Sequence, residues 1–229
     1  ERAKGGAGPS RERVGRRRAR YDGVGWGEEL FLVCGNLLDD GNSGSESTPR
    51  GRFLCKTMND ASGADLSILN SGSFRSGIAP GWATLGTLYD MMPFQNDLVT
   101  FSMTGGDIVD FFHGMPPRRT NAFPQFHGVT VHAWDRGDGL PPGIAGVLDR
   151  NGKPLDPGRI YTVAVNSFMA EGGDGYSFGL AGKRNRGDLM ALLVARLRNV
   201  ESADLERFRE NDALVVHSTR EEAQRAFTE

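Results

Sequence analysis

The sequence predicts an α+β fold, or an α/β fold with mixed sheets, built around one main domain. Two observations predict it. Short apolar segments with strand character alternate with segments of helical spacing, and their order lacks the strict strand-helix-strand rhythm of a parallel sheet. The 229 residues, of which 38% are hydrophobic and 24% charged, suffice for one sizeable core.

Four helices are indicated by apolar spacing and capping residues. The first covers about 51–60 and stops at Gly63, because glycine favours the left-handed conformation that ends a helix. A second, short helix ends before Pro93. The residues expected to begin the last three helices are Thr84, Thr104 with Asp107 three positions later, and Asp188.

Five segments have strand character, either as buried apolar runs or as alternating apolar and polar positions. They are 64–69, 98–103, 129–133, 161–165 and, as an edge strand, 214–216. The closing segment 221–229 fits either a polar helix or a frayed end.

The N-terminal segment is strongly basic and almost free of apolar residues. Residues 11–20 alone contain six arginines. A segment of this composition cannot bury enough surface to offset its ordering entropy, so we predict a disordered tail over 1–24. A solvated tail is favoured over a phosphate-binding arm. The predicted domain then covers 25–217, and 218–229 forms a polar C-terminal helix or tail.

Composition weakens several other classes of function. A formal net charge of -2 gives no global reason to expect a nucleic-acid partner, and no apolar run approaches the roughly 20 residues of a membrane span. Cys34 and Cys55 are too few for a disulfide framework and lack zinc-ligand spacing. The histidines are also scattered without ligand spacing, which favours surface or strand positions. They are His113, His127, His132 and His217.

Two polar loops, 70–75 and 166–176, each follow a predicted strand directly. Between them in sequence lies 92–96, which carries Phe94 after a proline. Binding groups concentrate on loops that a rigid scaffold positions. Together the three segments supply two phenylalanines, an arginine, asparagines and an aspartate. These groups suit a nucleoside, since aromatic faces stack on bases, carboxylates accept hydrogen bonds from ribose hydroxyls and guanidinium binds anions.

Three motifs carry a resemblance to a known family. The segments ADLSILNSGSFRSGI, TLGTLYDMMPFQNDLVTFSMTGGDIVDFF and YTVAVNSFMAEGGDGY resemble the C-terminal domain of 5′-nucleotidases, best over 51–178. The resemblance implies a layered helix/sheet sandwich. It also implies that Phe94 and Phe168 sandwich the base, that Asp174 contacts the ribose hydroxyls, and that Asn70 and Arg75 contact the nucleotide. Without the motif order, two core phenylalanines would be the favoured interpretation.

The chain departs from the family pattern at several positions. Where the family has a run of glycines, this chain has Ser71, Ser73 and Phe74. A serine held at positive φ would be strained. Ser45 stands where the family has an arginine, and Lys56 where an acidic residue is common. One charged contact to the nucleotide is therefore expected to be missing.

The resemblance also implies a division of labour. In this family hydrolysis belongs to an N-terminal metallophosphatase domain, whose divalent metal pair activates water. Its metal-ligand motifs do not occur in this sequence, so we expect no cofactor in this chain and no catalysis by it alone. The expected partners are a nucleotide and a metallophosphatase domain in the same or a separate chain. Extracytoplasmic placement is implied in the same way. The alternative is an interaction module that kept the fold and lost nucleotide binding.

Overall fold

The structure is a computed structural model that describes residues 25, 27–33, 47–116, 120, 122–137, 139–200, 207–208 and 213–228. The predicted basic tail over 1–24 lies outside the described residues, as do Cys34 and Ser45. None of the described helices is long and apolar enough to cross a bilayer.

The described residues form ten strands and six helices. The strands are β1 (Glu29–Val33), β2 (Leu66–Asn70), β3 (Gly81–Thr84), β4 (Asp97–Thr104), β5 (Pro124–His127), β6 (Val129–Trp134), β7 (Gly143–Asp149), β8 (Ile160–Asn166), β9 (Ala181–Asp188) and β10 (Leu214–His217). The helices are α1 (Pro49–Ser62), α2 (Leu85–Met91), α3 (Gly105–His113), α4 (Ser167–Ala170), α5 (Leu189–Leu197) and α6 (Arg220–Thr228).

A five-stranded sheet in the order β5-β2-β8-β4-β9 forms the centre. β2 and β8 are parallel, and the other pairs are antiparallel. A second sheet has the order β10-β6-β7, with β10 parallel to β6. β1 and β3 form an antiparallel ribbon. The mixed sheets match the predicted class.

The central sheet is buried on both faces, which makes the fold layered. One hydrophobic cluster takes Leu69, Leu98 and Ala164 from the sheet and packs them with α1, α2, α5 and the ribbon. The other takes neighbouring residues such as Ile68 and Val99, and packs them with α3 and the second sheet. Alternate residues of one strand thus enter different cores, because side chains along a strand point to opposite faces. The predicted layered sandwich is confirmed.

Helix boundaries agree with the capping signals. Gly63 ends α1 at φ 71. Thr84 and Thr104 each form a capping box, and Asp188 accepts a hydrogen bond from the Ala191 N–H. Cys55 lies on the buried side of α1, and burial raises the pKa of its thiol. The capping signals act through hydrogen bonds within a few residues, so they do not depend on the surrounding tertiary packing.

The C-terminal segment is a helix, α6, that packs on β6 and β7. Its Phe227 ring lies against Gly146 of β7, so close that a Cβ at this glycine would overlap the ring. Arg220 at the start of α6 lies 5.7 Å from the centre of the Trp134 ring of β6. Of the two interpretations of this segment, the polar helix is therefore correct.

Five strands were not predicted from sequence. They are β1, β3, β5, β7 and β9. The clearest case is β9, whose sequence AGKRNRGD has no apolar alternation and is almost wholly exposed. It forms because its backbone pairs with β4, and the edge of a sheet needs no buried side chains. Only the tertiary neighbour identifies such a strand.

Candidate functional site

Three loops meet at one edge of the central sheet because of strand direction. β2 ends at Asn70 and its parallel neighbour β8 ends at Asn166, so both loops leave the sheet at the same edge. β4 is antiparallel to β8, and Leu98 pairs with Asn166, so the loop that enters β4 arrives there too. The 3₁₀ turn Ser71–Ser73, the segment 92–96 and α4 are thereby neighbours.

The three loops enclose a cleft of about 320 Å³. It is lined by Asn70, Gly72, Ser73, Arg75, Phe94, Gln95, Asn96, Phe168 and Asp174. All five residues that the sequence singled out are in this group. They come from positions up to 104 residues apart in the chain, and the sheet register brings them together.

Phe94 and Phe168 lie on the walls of the cleft rather than in a core. Their exposed fractions are 40% and 44%, whereas Phe101, Phe112 and Phe126 are at most 2% exposed. Among the described ring pairs, Phe94 and Phe168 are not in contact with each other or with another aromatic ring. Two large apolar side chains thus remain open to a ligand, and their interpretation as core residues is wrong.

Phe168 is supported from one side by Gly173. A Cβ at Gly173 would overlap the Phe168 ring, so the backbone of the 172–175 turn approaches the ring more closely than any side-chain-bearing residue allows. Glycine permits this close approach. The ring position therefore depends on the glycine at position 173.

Arg75 lies beside Phe94 in the lining of the cleft. Its guanidinium carbon is 4.9 Å from the centre of the Phe94 ring, and its backbone N–H donates to the Met91 carbonyl at 2.8 Å. A cation over an aromatic face is attracted by the ring quadrupole. Arg75 therefore both supports Phe94 and brings a permanent positive charge to the cleft.

Asn96 ties two of the loops together. Its Oδ1 accepts hydrogen bonds from the Ser167 hydroxyl at 3.1 Å and from the Phe168 N–H at 3.3 Å. Ser167 in turn accepts a hydrogen bond from the Asp97 N–H at 3.1 Å. These contacts couple the loop that carries Phe94 to the helix that carries Phe168, and so set the separation of the two rings.

A buried polar network forms the floor of the cleft. The amide of Asn70, 3% exposed, donates from Nδ2 to the Asp174 carboxylate at 2.6 Å. Its Oδ1 accepts from the Ser73 hydroxyl at 2.6 Å and from Asn166 Nδ2 at 3.1 Å. Buried polar groups are stable only when they are paired in this way. The network therefore favours one arrangement of the floor.

Asp174 occupies an unusual backbone conformation. It has φ 54 and ψ 19, between two glycines of the same turn that also have positive φ, Gly172 and Gly175. Aspartate tolerates this region better than most residues. Tyr176 anchors the end of the turn by donating its hydroxyl to the Ala122 carbonyl. Burial, followed by the charge of Asp174, raises the pKa of Tyr176.

The loop that replaces the family's glycines is not strained. Ser71 and Ser73 form a 3₁₀ turn, and none of Ser71, Ser73 and Phe74 has a positive φ. Phe74 is 5% exposed and packs into the core, where the Arg50 guanidinium lies 4.9 Å from its ring centre. The strain considered from sequence therefore does not occur, because neither serine has a positive φ in this turn.

Lys56, the other departure within the described residues, does not line this cleft. Lys56 pairs with Asp60 at 2.7 Å on the exposed side of α1.

His132 and His217 come together on the second sheet, with ring nitrogens 3.2 Å apart. Among the described residues, no three His, Cys, Asp or Glu side chains are grouped so that they could hold a metal ion.

Four lining residues were not singled out from sequence: Gly72, Ser73, Gln95 and Asn96. All four lie within the loops that the sequence marked. The available signal was position alone, because a short loop between two strand ends brings most of its residues to the same edge. Which side chain faces the cleft depends on the 3₁₀ turn and on hydrogen bonds that the sequence does not display.

With the fold and the cleft established, comparison with known proteins identifies the family. The family model described as 5′-nucleotidase, C-terminal domain, matches residues 33–179, which is more than half of the chain. The chain belongs to this family. The match includes every predicted site residue, and it begins before the 51–178 stretch that carries the recognisable motifs.

Relatives by sequence include protein UshA of Escherichia coli and the NAD 5′-nucleotidase of Haemophilus influenzae. UshA is 31% identical over 56% of this chain, and the Haemophilus protein is 32% identical over 65% of it. These matches span 22% of UshA and 28% of the Haemophilus protein. The chain thus matches less than a third of the length of either relative.

Solved structures show the same fold. The NAD nucleotidase of Haemophilus influenzae superimposes with a TM-score of 0.68 at 19% identity, over 91% of this chain and 41% of that one. A 5′-nucleotidase precursor from Thermus thermophilus gives 0.66 at 18% identity, over 89% of this chain and 41% of that one. The 5′-nucleotidase C-terminal fold therefore extends over nearly all of the chain.

Proposed function

We propose that this 5′-nucleotidase C-terminal domain binds the nucleoside part of a nucleotide and thereby selects the substrate of a phosphomonoester hydrolase. One observation carries the proposal. The five residues predicted for nucleotide binding converge on a single cleft, and its two phenylalanines are exposed there instead of being buried. A soluble domain gains nothing in stability from two exposed rings, so a flat ligand explains them.

The arrangement suits a nucleoside in three respects. The open faces of Phe94 and Phe168 provide stacking surfaces, and stacking is worth about 1–3 kcal/mol per base and tolerates base identity. Asp174, held by Asn70, provides a carboxylate for the ribose hydroxyls. Arg75 provides a guanidinium for phosphate. We expect modest discrimination between bases and stronger discrimination between sugars.

Hydrolysis itself is assigned to a separate metallophosphatase domain, in the same or another chain, that holds a divalent metal pair. The cleft of this chain offers a base-stacking surface, a carboxylate and a guanidinium. These groups suit the binding of a nucleotide and not the activation of water. The proposed whole protein is a nucleotide-degrading hydrolase outside the cytoplasm. Addition of this chain alone to AMP is then expected to release no phosphate.

Thermal unfolding in the presence of ligand tests the binding step. A ligand that binds only the folded state stabilises it by RT ln(1 + [L]/Kd). Millimolar adenosine or AMP is expected to raise the melting temperature of the full chain, and Phe168→Ala and Phe94→Ala should each abolish most of that rise. The matched control is Trp82→Ala, which removes an exposed aromatic ring outside the cleft.

Two results would overturn the proposal. One is an unchanged melting temperature of the unmodified chain in every nucleoside and nucleotide tested. The other is a rise that Trp82→Ala reduces as much as Phe168→Ala does, because the effect would then not come from the cleft. Either result would favour the alternative, an interaction module that kept the fold and lost the ligand.

A further inference from the structure

The buried amides beneath the cleft have only one consistent orientation. The reference point is a backbone group, the Met169 N–H, which donates to Asn166 Oδ1 at 2.8 Å. A backbone N–H is always a donor, so the atom of Asn166 that faces it must be the oxygen. The nitrogen of this fully buried amide then faces the opposite way, toward Asn70 and Ser73.

This orientation passes on to the next two side chains. Asn166 Nδ2 donates to Asn70 Oδ1 and to Ser73 Oγ, each at 3.1 Å. Ser73 has one hydroxyl proton, and it donates this proton to Asn70 Oδ1 at 2.6 Å. Asn70 Oδ1 is thus held by two donors. Its Nδ2 has to point toward Asp174, where it donates to Oδ2 at 2.6 Å.

We propose that Ser73 and Asn166 are positioning residues that fix the amide of Asn70 and thereby aim the Asp174 carboxylate at the sugar hydroxyls of the ligand. This inference rests on the proposed nucleoside-binding function. Asn70 engages one carboxylate oxygen, Oδ2, and Asp174 lines the cleft, so Oδ1 is the oxygen left for a ligand. A flipped Asn70 amide would instead place an oxygen against the carboxylate and repel it.

The geometry of Asp174 makes this support necessary. The residue is exposed and sits at positive φ in a turn with two glycines. A carboxylate in such a turn has considerable freedom unless a side chain holds it. Within the described contacts, the hydrogen bond to this carboxylate comes from Asn70, whose own amide is buried and has both ends engaged.

The chain of hydrogen bonds from Asn166 and Ser73 through Asn70 to Asp174, here called the relay, also indicates the class of ligand. A carboxylate that is held at one oxygen and open at the other suits a donor pair such as the vicinal hydroxyls of a ribose. A 2′-deoxyribose lacks one of the two donors. Because deoxyadenosine loses one hydrogen bond to a charged group, we expect adenosine to bind at least about tenfold more tightly than 2′-deoxyadenosine.

The test measures the ratio of these two affinities by calorimetry on the full chain. Ser73→Ala should lower the adenosine preference at least about threefold toward equality, because Asn70 loses one of the two donors that hold its oxygen. Ser73→Thr keeps the hydroxyl and should retain the preference. The matched control is Ser71→Ala, in the same turn and equally buried, whose hydroxyl bonds Phe123 and Gln125 instead of Asn70.

A second measurement needs no ligand. In the NMR spectrum of the free protein, the side-chain amide protons of Asn70 should exchange slowly with solvent and should change markedly in Ser73→Ala but not in Ser71→Ala. If the unmodified chain does not bind adenosine, the proposed function is refuted. The NMR spectrum of the free protein then tests the relay by itself. If Ser73→Ala keeps the full adenosine preference of the unmodified chain and leaves the Asn70 resonances unchanged, the relay is overturned, even if adenosine binds.

Discussion

The five-stranded and three-stranded sheets both pair polar side chains across neighbouring strands, but they use different chemistry. At the end of the central sheet, the amides of Asn70 and Asn166 are buried and hydrogen-bonded to each other. On the second sheet, the imidazoles of His132 and His217 stack with their ring centres 5.4 Å apart. Amides keep one charge state at all ordinary pH values, whereas imidazoles titrate near neutrality.

Of the two sheets, the central one can hold a fixed geometry at different pH values. The amide pair of Asn70 and Asn166 does not titrate, so this part of the cleft floor keeps its charge state and its hydrogen bonds when pH changes. The histidine pair behaves differently. Burial, and secondarily the charge of His217, lowers the pKa of His132. The second sheet, with α6 packed on it, should therefore lose stability as the pH falls below the ordinary histidine pKa of about 6.5.

The largest expected effect is that of Asn166→Ala. This change removes the cap of α4 and leaves buried partners of the amide unpaired, so we expect a loss of about 2–4 kcal/mol in the free energy of unfolding. Urea denaturation measures it. Asn199→Ala, at an exposed position after α5, is the control and should change stability by less than about 0.5 kcal/mol. Similar losses in both variants would contradict the importance of the network.

Gly146→Ala tests whether the sheets act independently. The added Cβ overlaps the Phe227 ring and should dislodge α6, with a loss of about 1–3 kcal/mol. Nucleoside protection should persist, because the cleft lies at the end of the other sheet. Gly179→Ala, where a Cβ meets nothing within 4 Å, is the control for both measurements. Loss of nucleoside affinity in Gly146→Ala alone would show that the two sheets are coupled.

Gly173→Ala separates the ring position from overall stability. Its Cβ overlaps the Phe168 ring, so we expect about a tenfold loss of nucleoside affinity, comparable to a weakened stacking contact. The backbone at Gly173 does not have a positive φ, so the melting temperature without ligand should change little. Calorimetric titration with nucleoside measures the affinity of Gly173→Ala, and Gly179→Ala is the control. Unchanged affinity in Gly173→Ala would argue that Phe168 does not contact the ligand.

The smallest expected effect concerns acidity. Because the pKa of His132 is lowered in the folded protein, the unfolded chain binds more protons as pH falls below the ordinary value of about 6.5, and stability declines with acid. His132→Gln should reduce this decline between about pH 7 and pH 5, as measured by melting temperature. His113→Gln, at an exposed position on α3, should leave the decline unchanged. Parallel curves for all three proteins would refute a role of the pair.

Local signals predicted much of the fold. The caps at Thr84, Thr104 and Asp188 act through hydrogen bonds within a few residues, and all three helices begin where these residues indicate. β9 gave no such signal, because its backbone pairing with β4 stabilises it and its side chains face solvent. An element was therefore predictable from sequence when most of its stabilising contacts lie within its own segment.

The candidate site shows the same division. The loops at 70–75, 92–96 and 166–176 were recognisable from residue types and motif order, and the five predicted residues do converge. Phe74, however, stands in the middle of the first loop and points into the core. Ser73 faces the cleft and holds Asn70. Residue type alone does not distinguish these neighbours, because the direction of each side chain depends on the 3₁₀ turn.

By itself, the sequence determined the class of fold, the starts of three helices and the chemical groups available to a nucleoside, since these depend on composition and on contacts between near neighbours. Tertiary structure alone decided that Phe94 and Phe168 remain exposed, that Gly173 supports a ring, and that one backbone N–H orients the amides beneath Asp174. The physical reason is distance along the chain. Asn70 and Asp174 are 104 positions apart, and only the register of parallel and antiparallel strands brings such residues within hydrogen-bonding range.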